Sequence, residues 1–121
     1  MKTYSFEKLN VWHLSRTLVK EIYSSTKSFP KDKLFGLTSQ IKRAVVSVSS
    51  NITEGTARIS KKEKARFSEM AFGSLMEVLS QLLVAQDLGY LSESEIKRIR
   101  PLKMNLRIKL IRFANHNFVS K

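Results

Sequence analysis

Cysteine is absent from the 121 residues, which excludes disulfides and thiolate metal sites and removes any need for an oxidising compartment. Glycine and proline are scarce, at four and two residues. Pro30 and Pro101 lie far apart, so long stretches run without a breaker and helices are favoured over strands and turns. Histidine is limited to His13 and His116, which leaves little material for a nucleophile with its base. Neither histidine follows a glutamate at the Glu-x-x-His spacing of di-iron bundles, and no G-x-x-x-x-G-K-[ST] loop occurs. The expectation is therefore a protein without enzymatic activity, metal or cofactor. No apolar run approaches the roughly 18 residues of a membrane helix, and the start MKTYSFEKLNVWH lacks an apolar signal core. A cytoplasmic location away from membranes is expected.

Four helically periodic segments fill the chain. The first, about 6–27, repeats Val11, Leu14, Leu18 and Ile22 at steps of three and four, and ends in the loop SFPKDK around Pro30. The second, about 37–57, carries Leu37, Ile41, Ala44, Val45, Val48 and Ile52 on one side; its β-branched residues favour a strand, but the period is helical. The third, about 61–88, opens on the capping-box pattern Ser60-Lys-Lys-Glu63 and stops at Gly89. A second such box, Ser92-Glu-Ser-Glu95, opens the fourth, about 93–118, in which Pro101 lies too deep for a first-turn proline and predicts a kink or local break. Long helices joined by short loops pack as antiparallel neighbours, so the expected fold is all-α, one up-down-up-down four-helix bundle spanning 1–121.

Helical-wheel arithmetic separates further stripes. On the fourth helix Ile99, Leu102, Leu106, Leu110 and Phe113 form a core face, while Met104, Ile108, Ile111 and Phe118 lie on another side, beyond Arg100, Lys103 and Arg107. The third helix repeats this: Phe67, Ala71, Leu75, Val78, Leu82 and Ala85 in one stripe, Phe72, Met76, Leu79 and Leu83 beside it. Surplus apolar surface of that length marks a protein interface. A homo-oligomer contacting through Phe72, Met76, Leu83, Met104, Ile108 and Ile111 is one reading; a thick monomer core is the other. Polar stripes also occur, Gln40, Arg43, Ser47 and Glu54 on the second helix and Ser74, Glu77 and Gln81 on the third. Arg43 is placed to pair with Glu77 or Glu54 in a buried or interfacial network that fixes register more than it stabilises, unless both stripes are simply solvated.

The strongest compositional signal is charge, 22 Lys and Arg against 10 Asp and Glu, a formal net +12. From residue 97 onward the chain carries eight basic residues and no acidic one. Within that segment Arg98, Asn105, Lys109 and Arg112 share a stripe able to follow a phosphate backbone. Arg58, Lys61, Lys62, Lys64 and Arg66, with Glu63 among them, form a second cluster at the entry to the third helix, whose free N–H groups add to the positive field. A polyanionic partner, nucleic acid held through phosphates, fits this distribution; a protein with surface lysines and a protein partner is the competing reading. No helix-turn-helix or RRM-type stacking motif argues for reading of base sequence.

These residues also fall in a recognisable order. The run Leu9-Asn-Val-Trp12, Phe29-Pro30, Gly36-Leu-Thr-Ser-Gln40, Arg43-Ala44, Asn51-Ile-Thr-Glu-Gly55, Ser60-Lys-Lys-Glu63, Phe67, Gly73-Ser-Leu75, Glu77, Gln81-Leu82 and Leu88-Gly-Tyr-Leu91 resembles the 23S rRNA intervening-sequence proteins over about 6–95. The resemblance implies a bacterial four-helix bundle, often encoded within insertions in 23S rRNA genes. The chain is also similar in architecture to the accessory variability protein of diversity-generating retroelements, a basic pentamer that binds nucleic acid and a reverse transcriptase. A pentameric ring and an RNA partner are implied by these resemblances alone. Thr53 stands where the family commonly has Ala, and the C-terminal helix departs most from the pattern.

Overall fold

The computed structural model describes the backbone at residues 6, 9–31 and 34–119, and the side chains of these except at 34–35 and 110–119. Four helices carry the fold: α1 Asn10–Thr26, α2 Ser39–Thr56, α3 Lys61–Asp87 and α4 Glu93–Val119. No strand occurs among the described residues. A kinked segment, Leu34–Thr38, leads into α2, with Gly36 in a non-helical conformation (φ −103°, ψ −110°) at the kink. The helical period therefore overrides the β-branched residues of α2.

Contacts across the helices give their directions. Gln81 meets Gln40, Ser74 meets Ser47, and a Cβ on Gly55 would touch Phe67. Residue numbers thus rise along α2 as they fall along α3, so the pair is antiparallel. Phe29 against Tyr90 and Glu21 against Arg98 give the same result for α1 and α4. The five-residue connection Leu88–Ser92 reverses α3 into α4. The helices pack in a closed order, α1 on α2 and α4, α3 on α2 and α4. This is the up-and-down order expected of long helices with short loops.

The helix ends follow local chemistry. Ser60 Oγ accepts from the Glu63 backbone N–H at 3.1 Å, satisfying one of the free donors of α3. The box at α4 is reciprocal: Glu95 N–H donates to Ser92 Oγ at 3.2 Å and Ser92 N–H donates to Glu95 Oε1 at 3.0 Å. At the end of α3, Gly89 takes φ +79° while Tyr90 N–H reaches the Ala85 carbonyl and Gly89 N–H the Gln86 carbonyl. That is a Schellman ending, which needs glycine at the left-handed position. Two expectations are corrected. The helix of α1 begins at Asn10 because Leu9 is extended (φ −88°, ψ 125°) and no side chain caps it. The helix of α4 continues through Pro101, which is exposed, without the local break.

The core contains residues of the anticipated stripes, Val11, Leu18 and Ile22; Ile41, Ala44, Val45, Val48 and Ile52; Ala71, Leu75, Val78, Leu82 and Ala85; Ile99 and Leu106, together with Phe29, Ala65 and Leu91, which the stripes did not include. Leu14, Leu37 and Leu102 pack at its margin. Each fully buried Leu or Ile contributes on the order of 1.5–3 kcal/mol. Leu110 and Phe113 lie outside the described side chains.

Candidate nucleic-acid interface

The antiparallel order gathers charge at one pole. The turn from α2 to α3 and the C-terminal half of α4 lie at the same end, because α4 runs down towards the start of α3. At this turn Gly55 lets Phe67 approach α2: a Cβ on Gly55 would stand 3.2 Å from the Phe67 Cβ. The guanidiniums of Arg58 and Arg66 lie 4.8 and 5.8 Å from the Phe67 ring centroid, a cation–π arrangement that holds both forks in place. Each is also ion-paired, Arg58 to Glu54 at 2.6 Å and Arg66 to Glu63 at 3.2 Å. Lys64, half-buried, donates to the Thr56 carbonyl at 3.5 Å. Lys61 and Lys62 are exposed and make no ion pair, so they are the unspent cations of the turn. Between them and Arg58 stands Ile59, 97% exposed, an apolar tip that periodicity does not single out.

Along α4 the expected phosphate stripe divides. Arg98 is bound to Glu21 of α1 at 2.7 Å and lies some 16 Å along the axis from Lys109; its charge is spent within the bundle. Lys109 is half-buried, and the Arg112 side chain lies outside the described residues. The exposed cations of α4 are Lys97, Arg100 and Arg107, with Lys103 half-buried between the last two. Burial, together with Arg100 and Arg107 on either side, holds the Lys103 ammonium below its usual value of 10.5. Like charges are thus concentrated on this helix face with no acidic side chain among them.

The polar stripes of α2 and α3 do meet. Ser47 and Ser74 share a hydrogen bond at 2.9 Å, Asn51 Nδ2 donates to Ser47 Oγ at 3.1 Å, and Gln81 Nε2 donates to Glu77 Oε2 at 3.2 Å and to Gln40 Oε1 at 3.4 Å. Arg43 stands apart: it and Glu77 are both exposed and form no ion pair, while Glu54 is taken by Arg58. A buried Arg43 network within one chain is therefore not formed. Of the residues assigned to a subunit interface, Phe72 and Met76 are half-buried against the chain's own core. Leu83, Met104 and Ile108 stay 40%, 53% and 41% exposed, and the Ile111 side chain lies outside the described residues. Leu79, Leu83, Ile96, Arg100 and Lys103 line a shallow groove between α3 and α4.

A basic four-helix bundle with its exposed cations gathered along one helix face and one pole is the class that fold and site define. Residues 7–112 match the model of the 23S rRNA-intervening sequence protein family, and the chain belongs to that family. Its fold is similar to that of a protein of unknown function from the S23 ribosomal protein family of Bacteroides thetaiotaomicron VPI-5482, with a TM-score of 0.79 at 19% identity over 87% of this chain and 95% of that one. No curated protein matches the chain. No helix among the described residues is long and apolar enough to cross a membrane.

Proposed function

We propose that the chain is a non-enzymatic, oligomeric protein that binds nucleic acid, RNA in preference to DNA, through phosphate contacts in the cytoplasm. The observation that carries this reading is the set of exposed cations without acidic partners, Lys61 and Lys62 at the turn and Arg100 and Arg107 on α4. Such groups retain their full field for phosphates, and phosphate neutralisation releases counterions. Arg58 and Arg66, held over Phe67, add oriented forks, although their carboxylate partners reduce the net charge they offer. The family's name, an RNA insertion, supports RNA as the polyanion. Self-association, which Leu83, Met104 and Ile108 favour as exposed apolar residues, repeats the cationic surface and strengthens binding by multivalency; a pentameric ring is the assembly that the sequence resemblance suggests.

A second reading rests on the same apolar residues: a protein partner grips the groove between α3 and α4, and nucleic acid is not bound. Fluorescence anisotropy with a labelled RNA separates the two. Replacing Lys61, Lys62 and Arg107 together by Gln lowers affinity for all RNA sequences alike in the first reading. Unchanged affinity in a folded triple variant, or no affinity of the parent for RNA or DNA, gives the lead to the second.

A further inference from the structure

We propose that Ile59 is a wedge that enters a break in a stack of bases, so that the basic pole selects RNA at a bulged or unpaired base over continuous duplex. The wedge rests on the phosphate reading above and adds to it a contact that no phosphate supplies. Among the described residues the other exposed large apolar side chains reach at most 55%, at Leu88, whereas Ile59 stands at 97%. It contributes almost nothing to the packing of its own chain, and it sits at the tip of the turn between α2 and α3. Both flanks of that tip are fixed. On one side the Ala57 and Arg58 N–H groups reach the Glu54 and Gly55 carbonyls, and the Arg58 guanidinium is held by Glu54 and the Phe67 ring. On the other, Ser60 caps α3 by accepting from the Glu63 N–H, and the Ser60 carbonyl accepts from the Lys64 N–H. A β-branched side chain is stiff at χ1, and on a pinned turn it loses little freedom when a partner closes over it.

The surroundings choose the occupant. Arg58, Lys61 and Lys62 bracket Ile59 and are exposed, while the nearby carboxylates of Glu54 and Glu63 are already engaged by Arg58 and Arg66. One aliphatic group between cations is the complement of a base step, an apolar gap bordered by phosphates. A bilayer also sets phosphates over an apolar interior, but one isoleucine anchors far more weakly than a myristoyl chain, itself marginal. A protein interface needs a far wider patch than one residue. Energetics then choose the place on the nucleic acid. Burying an isoleucine side chain is worth roughly tenfold to a hundredfold in affinity. Unstacking a base step costs a similar amount, so on continuous duplex the two nearly cancel. Where a base is bulged or unpaired the stack is already weakened, and the gain is kept. Structure is selected and base sequence is not, since the Ile59 side chain has no hydrogen-bonding group.

The test uses the full-length chain and two hairpin RNAs that differ only by one bulged nucleotide, with a fluorescent adenine analogue beside the bulge. By anisotropy the parent is expected to bind the bulged hairpin about tenfold more tightly. The analogue's fluorescence should rise as its stacking on the neighbouring base is lost. Ile59→Ala should abolish both the preference and the rise, while Ile59→Leu keeps them. Neither variant should shift Tm, because the side chain is exposed, nor the salt slope, because no phosphate contact is removed. Replacing Lys61 and Lys62 by Gln should weaken both hairpins alike and leave the preference in place. A parent that binds both hairpins equally, or a preference that survives Ile59→Ala, overturns the wedge while salt-dependent binding stands. A parent without affinity for either hairpin overturns the phosphate reading and the wedge with it. Release of the Ile59→Ala chain from phosphatidylserine vesicles that hold the parent, with RNA binding unchanged, overturns the wedge and assigns the tip to a lipid surface.

Discussion

Pro101 is the ninth residue of α4 and exposed, yet the helix runs through it. Its ring removes the N–H that would reach the Lys97 carbonyl and crowds that carbonyl as well. Proline costs about 3 kcal/mol relative to alanine in a helix interior. Part of this is returned in the unfolded chain, where proline restricts the backbone by about 0.4–1 kcal/mol. Pro101→Ala should therefore stabilise by about 2 kcal/mol. For a chain of this length 1 kcal/mol corresponds to roughly 3–6 °C, so Tm should rise by roughly 6–12 °C. Scanning calorimetry at one fixed protein concentration is the assay, because assembly makes Tm concentration-dependent. An unchanged or lower Tm would show that the ring is worth more to the packing of α4 than the missing hydrogen bond costs, and would refute the reasoning.

Leu75 is fully buried at the centre of α3, and Leu75→Ala should cost about 3–5 kcal/mol by opening a cavity; denaturant titration showing a loss under about 1 kcal/mol would place it outside the core. Lys103 carries an ammonium whose pKa is lowered, by burial first and then by Arg100 and Arg107. In the unfolded chain the group holds its proton up to about 10.5, so stability rises with pH between the lowered folded value and 10.5 and is penalised below that window. Lys103→Met should thus raise Tm at pH 7, with a gain that shrinks as pH approaches 10.5; a gain that stays constant with pH contradicts this origin. Glu77→Ala should change the stability of a dispersed chain by less than about 1 kcal/mol, because its carboxylate is exposed.

Much of the fold was legible because its signals are local. Ser60, Ser92 and Gly89 announce helix ends through one hydroxyl, one reciprocal box and one left-handed residue, and all three act as their chemistry requires. The core stripes follow from a period of 3.6, which survives the β-branched residues of α2 because tertiary burial outweighs their strand preference. Pro101 misled as to a local break because its exposed place in α4 is a property of the packed bundle and not of the local sequence. The site was less legible for a similar reason. Arg98 shares a helical stripe with Lys109, but only the packing of α1 on α4 brings Glu21 to it. Phe72 and Met76 sit in a second apolar stripe on the wheel, and only the packed bundle shows that both are half-buried against its core. The Arg58–Phe67–Arg66 stack depends on the close passage of α3 at Gly55, a long-range contact without a local signature.

The central claim, that unspent cations of this bundle bind phosphate, is tested most directly by the salt dependence of RNA affinity. Log Kd should rise linearly with log salt, with a slope of about 0.7 for each single-strand phosphate neutralised. Removing Lys61, Lys62 and Arg107 should lower that slope by about 2, whereas Arg98→Gln, whose cation is already held by Glu21, should leave it nearly unchanged. A slope near zero for the parent, or a slope that falls with Arg98→Gln and not with the triple variant, would contradict the account.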